Sequence, residues 1–252
     1  MESNNTNGRA WWSRAVMIGG ALAVALPLLA ALGTRMGIWN FKLGLLVWAI
    51  GFLLGLISLV GGIAAVIVVL RRNRMAERTG VFVGTTLAAL VVGFLGLQFA
   101  GAGGVPPIHD ITTDTSDPPN FNAAVKLRGE GGDINTLTYD AEKLPALQNA
   151  AYPKVVSLDV SAAPMAAFDA AVAALAGLGM EVVKTDRDAL RIEAVATSFW
   201  FGFKDDVVVR VRPADAGSRI DVRSVSRVGV GDNGVNAARI VKILDAIKAK
   251  TA

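Results

Sequence analysis

The chain has 252 residues, of which 53% are hydrophobic and only 18% are charged. Because soluble domains carry about 25% charged residues, this composition predicts membrane-embedded segments. The chain contains no cysteine and a single histidine, His109, which excludes disulfides, thiolate metal sites and sites built from several imidazoles. We therefore expect no metal ion or other cofactor.

Positive charge is concentrated in the first part of the chain. Residues 1–100 contain eight Lys or Arg and two Asp or Glu, whereas the remainder contains seventeen basic and nineteen acidic residues. A nucleic-acid-binding domain needs a concentrated basic face, and the second part lacks this excess of positive charge. We therefore expect no nucleic-acid partner.

Three long apolar stretches cover about residues 15–34, 43–70 and 80–100. Each reaches the roughly 20 apolar residues that a helix needs to cross the hydrocarbon core of a bilayer. Residues 1–104 are therefore predicted to form a membrane domain, and residues 105–252 a separate domain outside the cytoplasm. A cleaved signal peptide is the alternative for the first stretch, although its apolar core exceeds the roughly 7–15 residues typical of such peptides.

An arginine cluster between the second and third stretches predicts the orientation of the chain. It consists of Arg71, Arg72, Arg74 and Arg78. Cationic loops tend to remain in the cytoplasm, so we expect a multi-pass protein of the bacterial inner membrane. Its N-terminus would be cytoplasmic and residues 105–252 periplasmic. Gly51 and Gly55 form a GxxxG pair, which we expect to serve packing within the three-helix bundle.

The region after residue 153 has clear strand and helix periodicity, whereas residues 105–153 have none. Strands are predicted at 155–160, 180–185, 190–197, 206–212 and 219–228, and helices at 165–178 and 235–249. Such an order predicts an α+β fold, in which an antiparallel sheet has its helices packed on one face.

Residue alternation in the predicted hairpin of residues 206–228 separates an apolar face from a charged one. The apolar face, directed at the helices, comprises Val207, Val209, Val211, Ile220 and Val222. The other face comprises Asp206, Arg210, Arg212, Asp221, Arg223 and Arg227. If Arg212 pairs with Arg219, Arg210 lies opposite Asp221. We expect a solvated, salt-bridged surface here, with anion binding as the alternative.

Residues 229–234 match the GxGxxG pattern of dinucleotide-binding loops. No second parallel strand follows, and no acidic residue lies about 20 residues further on, so a dinucleotide is not expected. Asp232 or Asn233 is instead predicted to cap the last helix. Backbone N–H groups near Arg227 and Arg239 leave phosphate or carboxylate binding as an alternative.

Two further segments have distinctive composition. The polar segment from His109 to Asp117 lacks the spacing of a metal site, and we expect its Asp and Thr side chains to bond to its own backbone. A hydrolase built on His109, Asp110 and Ser226 is the alternative, but no nucleophile elbow is present. The aromatic run at residues 198–203, SFWFGF, is expected to pack in the core or at the sheet end, with insertion at the membrane interface or contact with a hydrophobic partner as the alternatives.

Four segments of the second part resemble a known family. They are PPIHDITTDTSDPPNF, LQNAAYP, FGFKDDVVVRVRP and DVRSVSRVGVGDNGVNAARI. In this order they resemble the domain of unknown function 1499, which occurs in bacteria and plant plastids, over about Pro106 to Ile247. The resemblance implies that residues 105–153 belong to the domain and are not a linker. It implies no reaction and no catalytic residues.

The favoured functional hypothesis is a periplasmic domain that binds a partner or a small anionic or lipidic ligand without catalysis. The candidate ligand-binding residues are Arg210, Arg223, Arg227, Asp232, Asn236, Arg239, His109 and Asp110. Partners would be the lipid bilayer and another envelope membrane protein. A hydrolase centred on His109 and a purely structural envelope protein are the alternatives.

Overall fold

A computed structural model describes residues 10–101, 104–128 and 134–251. The chain forms two compact units, one built on the three N-terminal helices and one built on a β-sheet. The fold is therefore mixed α and β, as the sequence predicted.

The first unit consists of α1 (Trp11–Arg35), α2 (Phe41–Arg71) and α3 (Met75–Gly101). All three are long and apolar enough to cross a membrane. Asn40 begins α2, because its Oδ1 accepts a hydrogen bond of 2.9 Å from the N–H of Leu43. Large apolar side chains such as Leu53 and Phe94 point outwards and are more than half exposed, as expected of a surface in contact with lipid.

Glycines allow the three helices to pack closely. A Cβ placed on Gly20 of α1 would lie 2.2 Å from the carbonyl oxygen of Gly84 in α3, so the two backbones are in direct contact. Gly51 faces Pro27 of α1, and Gly55 lies between Ala23 of α1 and Val92 of α3. The GxxxG pair therefore packs inside the bundle, which confirms that prediction.

In the residues that the structure describes, the second unit contains an antiparallel sheet and four helices. Its strands are β1 (Asp110–Thr112), β2 (Leu158–Val160), β3 (Glu181–Asp186), β4 (Arg191–Thr197), β5 (Lys204–Ala214) and β6 (Gly217–Ser226). They are ordered β1-β6-β5-β4-β3, and β2 also pairs with β6. The helices are α4 (Ala123–Arg128), α5 (Leu144–Ala151), α6 (Pro164–Gly177) and α7 (Val235–Thr251).

The β5–β6 hairpin has the predicted register. Arg212 is opposite Arg219, and Arg210 is opposite Asp221. The turn requires Gly217, whose φ is +139°, because a Cβ there would lie 2.2 Å from the carbonyl oxygen of Val160. This close approach brings β2 against the start of β6.

The main hydrophobic core lies between one face of the sheet and helices α6 and α7. Phe168 of α6 and Ile240 of α7 are fully buried there. The predicted apolar face of the hairpin contributes Val207, Val209, Val211, Ile220 and Val222, all 2% exposed or less. Complete burial of such side chains stabilises the fold by about 1.5–3 kcal/mol each.

Most of the opposite face of the sheet is covered, so the prediction that this face is solvated is wrong, whereas the predicted salt bridges are present. The irregular segment that follows the third helix, here called the covering segment (residues 105–128 and 134–139), contributes β1, which pairs with β6, and α4. Phe121 and Ala124 of this segment pack on Val208 and Val225, whose side chains point away from the main core. The covering segment therefore belongs to the domain, as the family resemblance implied.

Candidate functional site

A buried ion pair fixes the covering segment to the sheet. Arg223 of β6 donates from Nε to Asp110 Oδ1 at 2.9 Å and from Nη2 to Asp110 Oδ2 at 2.7 Å. Arg223 is 1% exposed and Asp110 is 3% exposed. The guanidinium also donates to the backbone carbonyls of Pro119 and Leu137. One strand residue therefore bonds to three separate parts of the segment.

Two aromatic rings complete the surroundings of Arg223. Its guanidinium carbon lies 5.3 Å from the ring centroid of Phe121 and 5.3 Å from that of Tyr139. At these distances the ring faces attract the cation and exclude water from the ion pair. Sequence reasoning missed both aromatic residues, since the segment lacks periodicity.

Asp206 of β5 accepts hydrogen bonds from two arginines. Arg128 donates from Nε to Oδ2 at 2.7 Å, and Arg227 donates from Nη2 to Oδ1 at 2.7 Å. Asp206 is 1% exposed. Two guanidinium groups thus share one carboxylate, which leaves one positive charge in excess among these three side chains. Burial lowers the pKa of Arg128, and the neighbouring Asp206 carboxylate opposes that shift.

A third group of charges joins the hairpin to the loop after β1. Arg210 donates to Asp221 and Asp117, and Arg212 donates to Asp114 and Asp117. Arg212 also forms an ion pair of 2.7 Å with the fully buried Asp221. Three carboxylates thus surround two guanidinium groups, so these arginines are neutralised by the chain itself.

The loop at Asp114 is organised by its own carboxylate. Oδ1 of Asp114 accepts hydrogen bonds from the backbone N–H groups of Ser116 and Asp117, which confirms the predicted backbone bonding. Burial alone would raise the pKa of Asp114. The hydrogen bonds from Asp117, Arg212 and Ser116 outweigh burial and hold the pKa of this carboxyl below its ordinary value.

A second polar cluster lies where α7 meets the end of β6. The Asn236 side chain accepts a 2.6 Å hydrogen bond from the Ser224 hydroxyl and donates one of 2.9 Å to the Ser226 hydroxyl. Arg239 donates to Ser224 at 2.9 Å and to Asp205 at 2.6 Å. These contacts join β5, β6 and α7 through satisfied hydrogen bonds.

Asp232 caps helix α7 at the end of the glycine loop, residues 229–234. Its carboxylate accepts hydrogen bonds from the backbone N–H groups of Gly234 and Asn236 at the start of α7, as predicted for a helix cap. Burial raises the pKa of Asp232, and those two N–H groups oppose the shift. The N–H groups available for an external anion are therefore already bonded to a carboxylate.

The hydrolase residues His109, Asp110 and Ser226 are each bonded to other groups. The ring Nδ1 of His109 lies 3.2 Å from the carbonyl oxygen of Val230. The carboxylate of Asp110 binds Arg223, and the hydroxyl of Ser226 accepts from Asn236. No side-chain hydrogen bond joins the three to one another in the part of the chain described, so they form no nucleophile–base–acid arrangement there.

The eight candidate residues thus separate into two groups. One group makes hydrogen bonds within the covering segment and the hairpin and consists of Asp110, Arg210, Arg223 and Arg227. The other group lies around the start of α7 and consists of His109, Asp232, Asn236 and Arg239. Among the described residues, no cluster of three or more His, Asp or Glu side chains is arranged to hold a metal ion.

An open cleft of about 590 Å³ lies beside the first group. Its wall includes the apolar and aromatic residues Phe121, Val125, Leu137 and Tyr139, together with Arg128, whose side chain is 4% exposed. The volume is in the range of about 300–1,000 Å³ typical of small-molecule sites. No cleft was predicted, because its lining comes from the part of the sequence without periodicity.

Tyr139, a residue of the cleft wall, carries a hydroxyl that is shielded from solvent. Its hydroxyl is buried and forms no hydrogen bond with the described residues. Burial, followed by the Asp110 carboxylate, raises the pKa of Tyr139 to about 12. The phenol therefore stays protonated and remains a hydrogen-bond donor at neutral pH.

Glu193 of β4 positions the helix that forms one side of the cleft. Its carboxylate, 2% exposed, accepts hydrogen bonds of 2.8–2.9 Å from the N–H groups of Asn122, Ala123 and Ala124 at the start of α4. Negative charge at a helix N-terminus is favourable, so this contact fixes Val125 and Arg128 in place. The sequence signal for this contact was a single glutamate within an apolar strand pattern.

The fold and these contacts define an α+β domain joined to three helices that are apolar enough to cross a membrane. The chain belongs to the family described as "Protein of unknown function (DUF1499)", whose model matches residues 110–247, more than half of the chain. The match confirms the resemblance identified in the sequence. No curated protein matches the chain.

Proposed function

We propose that this protein is a bacterial inner-membrane protein whose α+β domain lies in the periplasm and binds a small anionic amphiphile in the cleft, without catalysis. The observation that carries the proposal is the composition of the cleft wall. Phe121, Val125 and Leu137 suit an apolar chain, and the positive charge of Arg128, whose side chain is largely buried in the wall, favours an anionic group.

The charge distribution supports an anion over a cation. Arg210, Arg212 and Arg223 are neutralised by carboxylates within the fold. At Asp206 one carboxylate faces two guanidinium groups, and one of these, Arg128, lines the cleft. An anion bound there would offset the remaining positive charge in a partly dehydrated site, where such attraction is strong.

The arginine cluster supports the proposed sidedness. Arg71 ends α2, Arg72 and Arg74 lie in the turn around Asn73, and Arg78 follows in the first turn of α3. All four thus belong to one short connection between two apolar helices. If this connection lies in the cytoplasm, the N-terminus also lies in the cytoplasm, and the sheet-containing domain lies on the opposite side of the membrane.

Position Val125 offers a direct test, because its side chain lines the cleft and is 57% exposed. Val125→Glu introduces negative charge without breaking a buried contact, and Val125→Gln is the neutral control. Leu127→Glu is the positional control, since Leu127 is 50% exposed on the same helix and does not line the cleft.

The measurement is calorimetric titration of the full chain in nanodiscs with octanoate, a soluble anionic amphiphile. We expect octanoate to bind the wild type and Leu127→Glu, Val125→Gln to retain most of the affinity, and Val125→Glu to lose about tenfold or more, equivalent to 1.4 kcal/mol. Equal affinity of Val125→Glu and Leu127→Glu, or equal binding of octanol and octanoate, would contradict the proposal.

A further inference from the structure

The carboxylate of Asp206 is shared unequally between its two arginines. Arg227 donates from Nη2 to Oδ1 at 2.7 Å and from Nε to Oδ2 at 3.1 Å, so it holds both oxygens. Arg128 reaches only Oδ2, at 2.7 Å from its Nε. Because two-point contacts between guanidinium and carboxylate groups are especially strong, Arg227 is the principal partner of Asp206.

The other donors of Arg128 meet uncharged groups. Nη1 donates to the carbonyl oxygen of Asn135, and Nη2 donates to that of Val225 at 3.1 Å. These bonds satisfy the guanidinium but bring no formal negative charge. Burial lowers the pKa of Arg128 and the charge of Arg227 lowers it further, whereas the Asp206 carboxylate opposes both effects. The uncompensated charge of the three side chains therefore lies at Arg128, in the cleft wall.

Arg227 itself lies outside the cleft wall, whose residues fall between Asn120 and Tyr139. Its side chain is 15% exposed and is directed at Asp206. The backbone of Arg227 is held separately, because its N–H donates to the carbonyl oxygen of Lys204 and its carbonyl oxygen accepts from the N–H of Asn135. A change of this side chain alone therefore alters the charge beside the cleft without removing a wall residue.

We propose that Arg227 keeps the cleft positively charged from outside its wall, because it occupies the Asp206 carboxylate that would otherwise neutralise Arg128. Arg227 is thus a positioning residue that determines the preference of the cleft for an anionic over a neutral amphiphile. Loss of its charge would leave Asp206 and Arg128 as a neutral pair. The biological role of this charge rests on the proposed function, but the charge itself is measurable without any ligand.

The absence of cysteine from the sequence allows the charge of the cleft to be measured with an introduced thiol. Val125→Cys places the thiol in the cleft wall. Ala216→Cys is the control, since Ala216 lies in the β5–β6 turn, roughly 30 Å from Asp206 along the strand. Alkylation by iodoacetamide, a neutral reagent, is followed against pH on the full chain in phosphatidylcholine nanodiscs. The midpoint of the profile reports the local charge, because positive charge stabilises the thiolate.

We expect Arg227→Gln to raise the midpoint at position 125 by about half a pH unit or more, and Arg227→Lys to leave it near its original value. Adding Asp206→Asn to the Arg227→Gln chain restores one uncompensated guanidinium, so the midpoint should fall again. A purely structural role of Arg227 would not produce this reversal. The thiol at position 216 should titrate alike in all of these chains.

An unchanged midpoint at position 125 in the Arg227→Gln chain would overturn the inference. An Arg227→Gln chain that no longer folds would also overturn it, because Arg128 alone is expected to satisfy Asp206. The octanoate titration separates this result from the proposed function. A raised midpoint, together with a wild type that does not bind octanoate, would support the role of Arg227 and contradict the proposed function. Octanoate binding with an unmoved midpoint would do the reverse.

Discussion

Arg223 and Asp110 form a two-point ion pair, with N–O distances of 2.9 and 2.7 Å, in an interior where neither residue is more than 3% exposed. The pair connects β6 to the first residue of β1. It links β6, which shares the charged face with β5, to the segment that covers that face. The cleft wall depends on this connection, because Phe121 and Tyr139 both lie over the same guanidinium.

Asp110→Asn should destabilise the sheet-containing unit severely. The change leaves the buried guanidinium of Arg223 without its counter-charge, which costs about 3–5 kcal/mol in comparable cases. Arg223→Lys should also be destabilising, since an ammonium group cannot make the two parallel hydrogen bonds. Urea unfolding of the detergent-solubilised chain measures both effects.

The matched control for this pair is Asp159→Asn. Asp159 and Arg219 also form two hydrogen bonds, each 2.8 Å long, but both side chains are at least half exposed to solvent. Water can replace the lost partner there, so little change in unfolding is expected. An Asp110→Asn protein as stable as the Asp159→Asn protein would show that the buried pair does not hold the segment.

The stability contribution of Asp114 should depend on pH. Its carboxyl has a pKa below the ordinary value of about 3.9 in the folded state, so the charged form is favoured by folding. The contribution is therefore fully present above the unfolded pKa and is lost as the pH falls through the folded pKa. At pH 7, Asp114→Asn should lower the free energy of unfolding by about 1–2 kcal/mol.

The difference between Asp114→Asn and the wild type should shrink as the pH falls from the unfolded pKa through the lowered folded pKa of Asp114, below which both side chains are neutral. Urea unfolding at a series of pH values measures this, with Asp188→Asn in the exposed β3–β4 turn as the control. A difference of constant size across this range would mean that the carboxylate charge does not stabilise the loop.

The contact between Gly20 and Gly84 should make the helical unit sensitive to a single methyl group. A Cβ on Gly20 would lie 2.2 Å from a backbone carbonyl oxygen, and a backbone cannot move aside as a flexible side chain can. Gly20→Ala should therefore separate α1 from α3 and lower the thermal stability of the unit in detergent, at a cost of about 1–3 kcal/mol.

Gly93→Ala is the control on the same unit, because a Cβ at Gly93 meets no atom within 4 Å. It should leave the unfolding temperature unchanged or raise it slightly, since alanine favours a helix more than glycine does. If the two alanine variants unfold at the same temperature, the close approach of α1 and α3 does not determine the stability of the unit.

The sequence predicted the elements that have a strong period. The three apolar helices, the β5–β6 register and the helices α6 and α7 follow from hydrophobic spacing, and the structure has all of them. Their ends differ by a few residues, because capping side chains such as Asn40 extend a helix beyond its apolar stretch. Strand β2 is shorter than predicted, since only Leu158–Val160 pairs with β6.

The elements that the sequence did not predict depend on long-range contacts. Strand β1 has three residues, and Gln148 of α5 holds it by bonding to both backbone groups of Thr112. Helix α4 has six residues and is capped by Glu193, about 70 positions later in the chain. Elements this short have no periodicity of their own, so composition could not indicate that β1 extends the sheet or that the residues around α4 cover its charged face.

The same reason explains why the charged face was interpreted as solvated. Alternation correctly grouped Arg210, Arg223 and Arg227 on one side of the hairpin. It does not indicate what lies on that side, and a segment without periodicity supplied the cover. The role of these three arginines as ligand-binding residues stays a prediction, and the Val125 variants test it only indirectly.

The side of the membrane that holds the sheet-containing domain decides which molecules its cleft can meet. Because the natural sequence has no cysteine, single cysteines can be placed at Asn73, in the arginine-rich turn, and at Lys250, on the exposed end of α7. Spheroplasts of cells that express each variant are treated with a membrane-impermeant maleimide before and after lysis. We expect Lys250→Cys to be labelled in intact spheroplasts and Asn73→Cys only after lysis. The reverse pattern would place the domain in the cytoplasm and contradict the proposed periplasmic function.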